Sequence, residues 1–305
     1  MQAIITLLEQ GHMAALIAAL LLCLGYLPAL WRELRQPQPQ PEEHPGQARW
    51  RLLAFLFAIV AMLVVLVTPI DRLARNQLFL MHMLQVIVLS TICAPLLLLA
   101  LPTALVGRLH LRESQERTNG PALLRWLTRP FPASLLYNGF FLLWHLPPLY
   151  LITSEQALLY DLALIFLLLL ACLNWWPLLG PVDEKRRLSY PAQMLYAFLD
   201  GQPIDIFAFL LVFSGAIFYP IYARQPHPRM APLSDQEAAG AMLLVPGLVD
   251  LIVMTPLFFR WLAALEEKAR IRDQQLQQVY EAEEHKQAWS EKQQPAPAPG
   301  STSSE

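Results

Sequence analysis

The chain reads as long apolar runs separated by short polar stretches. Seven runs approach the ~20 residues that an α-helix needs to span a bilayer, at about 12–31, 52–70, 77–100, 132–152, 157–180, 191–220 and 238–262. No Lys or Arg precedes the first, so it lacks the positive n-region of a cleaved signal peptide. The connections contrast with the runs. Residues 32–50 are rich in Pro and Gln, and 101–131 are charged. Residues 263–292 carry Glu, Lys and Gln in a pattern that predicts a polar helix continuing the last span, and Pro295 to Glu305 is expected to be disordered. The predicted architecture is all-α. A polytopic membrane domain of seven transmembrane helices covers 1–265, and a cytoplasmic tail covers 266–305, helical first and then disordered.

Composition agrees with this pattern. Of 305 residues, 55% are hydrophobic and 15% charged, with mean hydropathy +0.38. A soluble domain carries about 25% charged residues, so a water-soluble enzyme is excluded. Net charge is −2 and no basic stripe appears, which excludes a nucleic-acid partner. The distribution of charge sets orientation. With the N-terminus outside and the C-terminus inside, 18 of the 22 Lys and Arg fall on the inner side. Trp31, Trp50, Trp175, Trp176 and Trp261 then mark the inner interface. Cys23, Cys93 and Cys172 lie inside apolar runs with no CxxC pair and read as small hydrophobes.

Ionisable groups inside spans are costly and mark candidate sites. His82 lies about five residues into the third span, ~8 Å below the outer face, and His145 lies about seven residues from the outer end of the fourth, ~10 Å deep. Two imidazoles from different spans therefore share one depth on the outer side. Met81 and Met83 flank His82, Gln85 follows one turn on, and Met13 and Met242 stand near outer ends of spans one and seven. Thioether and imidazole donors suit Cu(I) over zinc, magnesium or calcium. The candidate metal residues are His82, His145, Met83 and Met81, with Asp235 at the outer entrance of span seven. Haem with two axial imidazoles is the alternative cofactor. Consecutive helical residues point about 100° apart, so Met81, His82 and Met83 cannot all reach one ion. Structural readings stand beside these. Methionines fill gaps in bundles, each His could cap a carbonyl or pack on Trp144, and Asp235 with Ser234 could cap its own helix. Asp200, Asp205 and Asp250 lie deeper and could relay protons, and Asp200-Gly201-Gln202-Pro203 predicts a broken or kinked helix.

Several functions drop out. The lysines are Lys185, Lys268, Lys286 and Lys292, none inside a span, so a retinal Schiff base has no nucleophile. Walker, HExxH and GxSxG motifs are absent, and no acidic ring or filter-like loop marks a channel.

His82-Met83-Leu84-Gln85 is followed by Ala94-Pro95-Leu96-Leu97 and Pro102, then by Asn138-Gly139-Phe140 and Trp144-His145-Leu146-Pro147-Pro148. Trp175-Trp176-Pro177, Leu188-Ser189-Tyr190, Phe218-Tyr219-Pro220-Ile221-Tyr222 and Leu233 to Gly240 come next in order, ending near Phe258-Phe259-Arg260-Trp261. From about 50 to 265 this series resembles the CtaG-type assembly factors of caa-type cytochrome c oxidases. The resemblance implies a multi-pass protein of the bacterial cytoplasmic (inner) membrane. It implies a non-enzymatic assembly factor whose partners are cytochrome c oxidase subunits and the lipid bilayer, with no soluble small-molecule substrate. It also implies a role in copper delivery. His82 matches the family's HMxQ histidine and His145 its WHxP histidine. Val86 and Leu164 stand where many members carry further ligand-type residues. The other expectations are a metal-free scaffold for an oxidase subunit, a haem-binding electron-transfer protein and a proton-coupled transporter using Asp200, Asp205 and Asp250.

Overall fold

The structure is a computed structural model that describes residues 13–35, 47–102, 122–180, 187–224 and 230–293. Its regular elements are all helical, with no strand among the described residues. His12, the core of the Pro- and Gln-rich connection (36–46), most of the charged connection (103–121) and the Pro295 to Glu305 run lie outside the described residues. In chain order the helices are α1 (Met13–Arg35), α2 (Gln47–Val67), α3 (Pro69–Asn76) and α4 (Phe79–Leu99). Then come α5 (Ala122–Leu127), α6 (Pro130–Trp144), α7 (Pro147–Glu155) and α8 (Ala157–Leu179). The last are α9 (Tyr190–Phe213), α10 (Pro220–Ala223), α11 (Pro232–Leu243) and α12 (Pro246–Gln293). The chain divides into two units, one up to Met254 and one from Thr255.

Among the described residues five helices are long and apolar enough to cross a membrane: those holding Ala14–Trp31 and Arg49–Val67, and α4, α8 and α9. A sixth span results if α6 and α7 are taken as one, bent by 77°. The sequence pattern is adjusted in three places, two by proline and one by glycine. The expected span 132–152 breaks at Pro147 and Pro148, because proline lacks an N–H and forces the preceding residue out of the helical region; Leu146 is extended at φ −63°, ψ 128°. The expected span 238–262 divides at Leu244–Val245, just before Pro246. The expected span 191–220 ends at Phe213, and the chain turns through Gly215 at φ 62°, a left-handed conformation that favours glycine. In contrast, Asp200-Gly201-Gln202-Pro203 does not break its element. The run is helical throughout, with Pro203 inside α9.

Proline also explains a widened stretch of α4, Val88–Cys93, which is a π-helix. In that register each amide reaches the carbonyl five residues back, as Ala94 N does with Leu89 O. Pro95 has no hydrogen to give Ser90 O. The indole of Trp175 supplies the missing donor, with Nε1 2.9 Å from Ser90 O. The paired-tryptophan motif thus closes a backbone gap made by the Ala94-Pro95 motif.

Helices α9 and α11 approach closely. A Cβ on Gly240 would lie 2.8 Å from Ala208 O and from Leu211 Cβ, and 2.9 Å from Val212 Cγ2. Small residues allow such contact in lipid, where close packing drives helix association. In the second unit, Phe258 meets Phe259 and Trp261 edge-on, and the helix beyond is exposed, with Arg270 paired to Glu267 at 2.8 Å. We expect Gly240→Ala to destabilise the protein by about 1–3 kcal/mol, the usual cost of overpacking. Thermal unfolding in detergent measures it; an unchanged midpoint would mean that α9 and α11 are free to part.

Candidate functional site

The break between α6 and α7 builds the site. His145 follows the last residue of α6, in the turn created by Pro147, and its own amide still reaches back to Phe141 O at 3.1 Å. The carbonyl of His145, which has no helical partner beyond the break, accepts the Tyr219 hydroxyl at 2.6 Å. A broken span is tolerated at membrane depth only where its backbone is satisfied within protein. His82 sits in the first turn of α4, and Asp235 from α11 fixes that turn. Its Oδ2 accepts Phe79 N at 2.7 Å and its Oδ1 accepts Leu80 N at 3.0 Å. A carboxylate on the exposed amides of a helix start also favours the helix dipole.

The two histidines meet. Their Nε2 atoms are 3.1 Å apart, and both rings are buried. Aromatic rings enclose the pair. Trp144 stands edge-on to His82 at 5.1 Å, Phe141 lies against His145 at 4.2 Å, and Tyr150 approaches both. The depth shared by His82 and His145 along the sequence is thus a direct contact in the fold.

The hydrogens around the pair can be assigned one by one. Phe141 O only accepts, so His145 Nδ1, 2.7 Å away, carries a hydrogen. Gln85 Nε2 donates to Val65 O at 2.7 Å and to Asp71 Oδ1 at 3.1 Å, which turns its Oε1 toward Tyr160. The Tyr160 hydroxyl donates to that oxygen at 2.6 Å. Its single hydrogen is then used, so His82 Nδ1, 2.6 Å from the same hydroxyl, must donate. A neutral imidazole carries one hydrogen. Both rings hold it on Nδ1, and both Nε2 atoms present lone pairs to each other. Two such acceptors at 3.1 Å in a dry interior are at the distance of a shared proton.

Beside the pair lies an ionic cluster. Arg75 pairs with Asp71 and, at 3.2 Å, with Asp161, and its guanidinium lies 5.2 Å from the Tyr160 ring centre. Among the described residues Asp161 Oδ2 is buried with no hydrogen-bond partner.

A family model described as the cytochrome c oxidase caa3 assembly factor (Caa3_CtaG) matches residues 24–264. The chain belongs to this family. No curated protein and no solved structure matches it.

The remaining expected residues are placed less centrally. Met83 is fully buried in the hydrophobic core, about 100° around α4 from His82. Met81 is half-buried, and Met242 packs against the core. Asp235 is not the cap of its own helix. It lies inside the first turn of α11 and caps α4 from across the bundle. Both oxygens are engaged, so it works as a clamp on the His82 turn. Among the described residues no three or more His, Cys, Asp and Glu side chains group as metal ligands.

The deeper carboxylates form a separate locus. Asp200 accepts Ser134 Oγ, Asn138 Nδ2 and Asn174 Nδ2. Asp200, Asp205 and Asp250 line a cavity with about 60 Å³ for water centres, room for a few molecules. Phe141 and Val86 also line it, so Phe141 borders both the cavity and the histidine pair.

Asp71, Arg75 and Tyr160 are site residues that the sequence pattern did not single out. The adjacent polar pair Tyr160-Asp161, inside an otherwise apolar run, was the available signal. Replacing Asp235 by Asn should cost about 0.5–2 kcal/mol, the range for a lost helix cap. Hydrogen exchange at the Phe79 and Leu80 amides should accelerate; unchanged protection there would refute the clamp.

Proposed function

We propose that this protein assists assembly of a caa3-type cytochrome c oxidase by holding Cu(I) as cargo between His82 and His145 and passing it to an oxidase subunit. The observation that carries the reading is the pair of inward-facing Nε2 lone pairs 3.1 Å apart. Imidazole nitrogen suits copper, and a set of two such donors falls short of the four that close a structural zinc site. Weak coordination fits a carrier that must release its load.

The seven-span arrangement belongs to this reading, with the divided segment 232–262 as the last crossing. So do the N-out orientation and a bacterial inner-membrane location. The excess of Lys and Arg on the inner side supports the orientation and sets the pair near the outer face. The role is non-catalytic, and the partners are oxidase subunits within the bilayer. One observation favours a second reading, a metal-free scaffold: no larger ligand group accompanies the two imidazoles among the described residues. Haem fits less well, since the porphyrin plane would need the room that Trp144, Phe141 and Tyr150 fill around the pair.

The test is anaerobic purification followed by measurement of copper, iron and haem per chain, beside oxidase activity in cells. We expect one copper per chain in the wild type. His82→Ala with His145→Ala should remove it and lower oxidase activity at least about ten-fold, as loss of a metal's ligands does. Normal oxidase activity in the double variant would end the delivery reading. An oxidase subunit that co-purifies unchanged with a metal-free protein would establish the scaffold instead.

A further inference from the structure

The bonds that orient His82 all run one way. His82 Nδ1 donates to the Tyr160 hydroxyl, Tyr160 donates to Gln85 Oε1, and Gln85 donates to Asp71 Oδ1 and Val65 O. Four elements supply this line. Gln85 stands three residues after His82 on α4, Tyr160 lies in the first turn of α8, Asp71 lies on α3 and Val65 on α2. All are buried, with Gln85 and Tyr160 fully so. The far end is the Asp71 carboxylate, which pairs with Arg75, and Arg75 also reaches Asp161. Hydrogen bonds to an ionised acceptor are about twice as strong as neutral ones, so the carboxylate holds the amide of Gln85 in this orientation.

Without that line His82 has a simpler arrangement. With its hydrogen on Nε2 it would donate to His145 Nε2, whose lone pair is set by the bond to Phe141 O. Rings 3.1 Å apart are already at hydrogen-bond distance. The pair would satisfy itself and offer no pair of ligands. The two arrangements differ only in which nitrogen of His82 carries the hydrogen. The choice is therefore made by the groups behind the ring.

We propose that Tyr160 and Gln85 are positioning residues that keep the hydrogen of His82 on Nδ1, and so hold its Nε2 lone pair open toward His145 for a monovalent soft cation. What fills the gap rests on the cargo reading above. The lock itself rests on hydrogen-bond directions alone. Groups behind a ligating histidine commonly fix its tautomer in this way, and their loss costs about 10–100-fold in metal affinity. Here the line crosses four elements, so His82 is set for binding only when α2, α3, α4 and α8 are assembled.

The test uses the full chain in lipid nanodiscs, labelled with nitrogen-15 at histidine, with the His82 signals assigned against His82→Gln. Tyr160→Phe removes the hydroxyl that receives the His82 hydrogen. Gln85→Met frees Tyr160 to donate to His82 Nδ1 instead, with the aromatic packing kept. In the metal-free wild type, His82 Nδ1 should carry the hydrogen. In both variants it should move to Nε2, while thermal unfolding stays cooperative. Affinity for Ag(I), an air-stable stand-in for Cu(I), should fall about 10–100-fold. If Tyr160→Phe fails to fold, Gln85→Met decides alone. Affinity that is unchanged, or lost without a change of tautomer, overturns the proposal while the cargo reading stands. A wild type that takes up no Ag(I) sinks the cargo reading. The tautomer readout then decides the lock: a hydrogen that moves in the variants supports it, and one that stays on Nδ1 overturns it.

Discussion

Two imidazole lone pairs held 3.1 Å apart in a dry interior set the terms for the rest of the bundle. Such an arrangement is unfavourable by itself, since a buried polar atom without a partner costs at least ~1 kcal/mol. It persists because each ring is held from behind. Phe141 O fixes one and Tyr160 the other, and neither ring can turn without orphaning another group. The aromatic shell of Trp144, Phe141, Phe79 and Tyr150 keeps water from filling the gap. A cation there meets little competition from solvent, and electrostatic interactions are stronger than in water.

The backbone is bent to serve that contact. The proline break after His145 ends α6 at the depth of His82, and Tyr219 satisfies the carbonyl that the break exposes. Asp235 clamps the first turn of α4 from a helix over 150 residues later in the chain. Next to it, Gln236 takes Phe218 N at 2.7 Å and donates to Ala216 O at 2.9 Å, which fixes the turn leading to Tyr219. Tyr222 donates to Ala74 O and receives the Tyr150 hydroxyl. Motifs dispersed along the sequence are therefore parts of one polar frame, each supplying a donor or acceptor that another leaves open.

How much of this was legible depended on distance along the chain. Hydropathy located the apolar helices, and helical rise placed His82 and His145 at one depth, which is why their contact could be anticipated. Hydropathy does not give the rotation of a helix about its axis, which packing against neighbours sets. The turn of Met83 into the core was hidden for that reason. The role of Asp235 was misread because a capping side chain looks local in sequence, whereas its acceptor atoms can serve any helix end brought near by the fold. Asp200 to Pro203 suggested a break because proline and glycine weaken helices, yet the run stays helical inside a packed bundle. Tyr160 was overlooked because a tyrosine at a span end reads as an interface anchor until its hydroxyl is seen buried against Gln85.

Val86 and Leu164 have a consequence for how tightly any ion is held. They stand four residues after His82 and Tyr160, so each shares the helix face of a site residue one turn deeper. Both are buried and apolar. A ligand at either position would enlarge the donor set and deepen binding. On the cargo reading, valine and leucine leave two imidazoles as the donors, and Val86 with Phe141 lines the cavity of Asp200, Asp205 and Asp250. Structural zinc sites reach about 10–16 kcal/mol with closed coordination. A carrier with that affinity would release its ion too slowly to be useful. A site of two donors, pre-set by the groups behind them and kept from carboxylate competitors by a phenyl ring, is better suited to transfer than to storage.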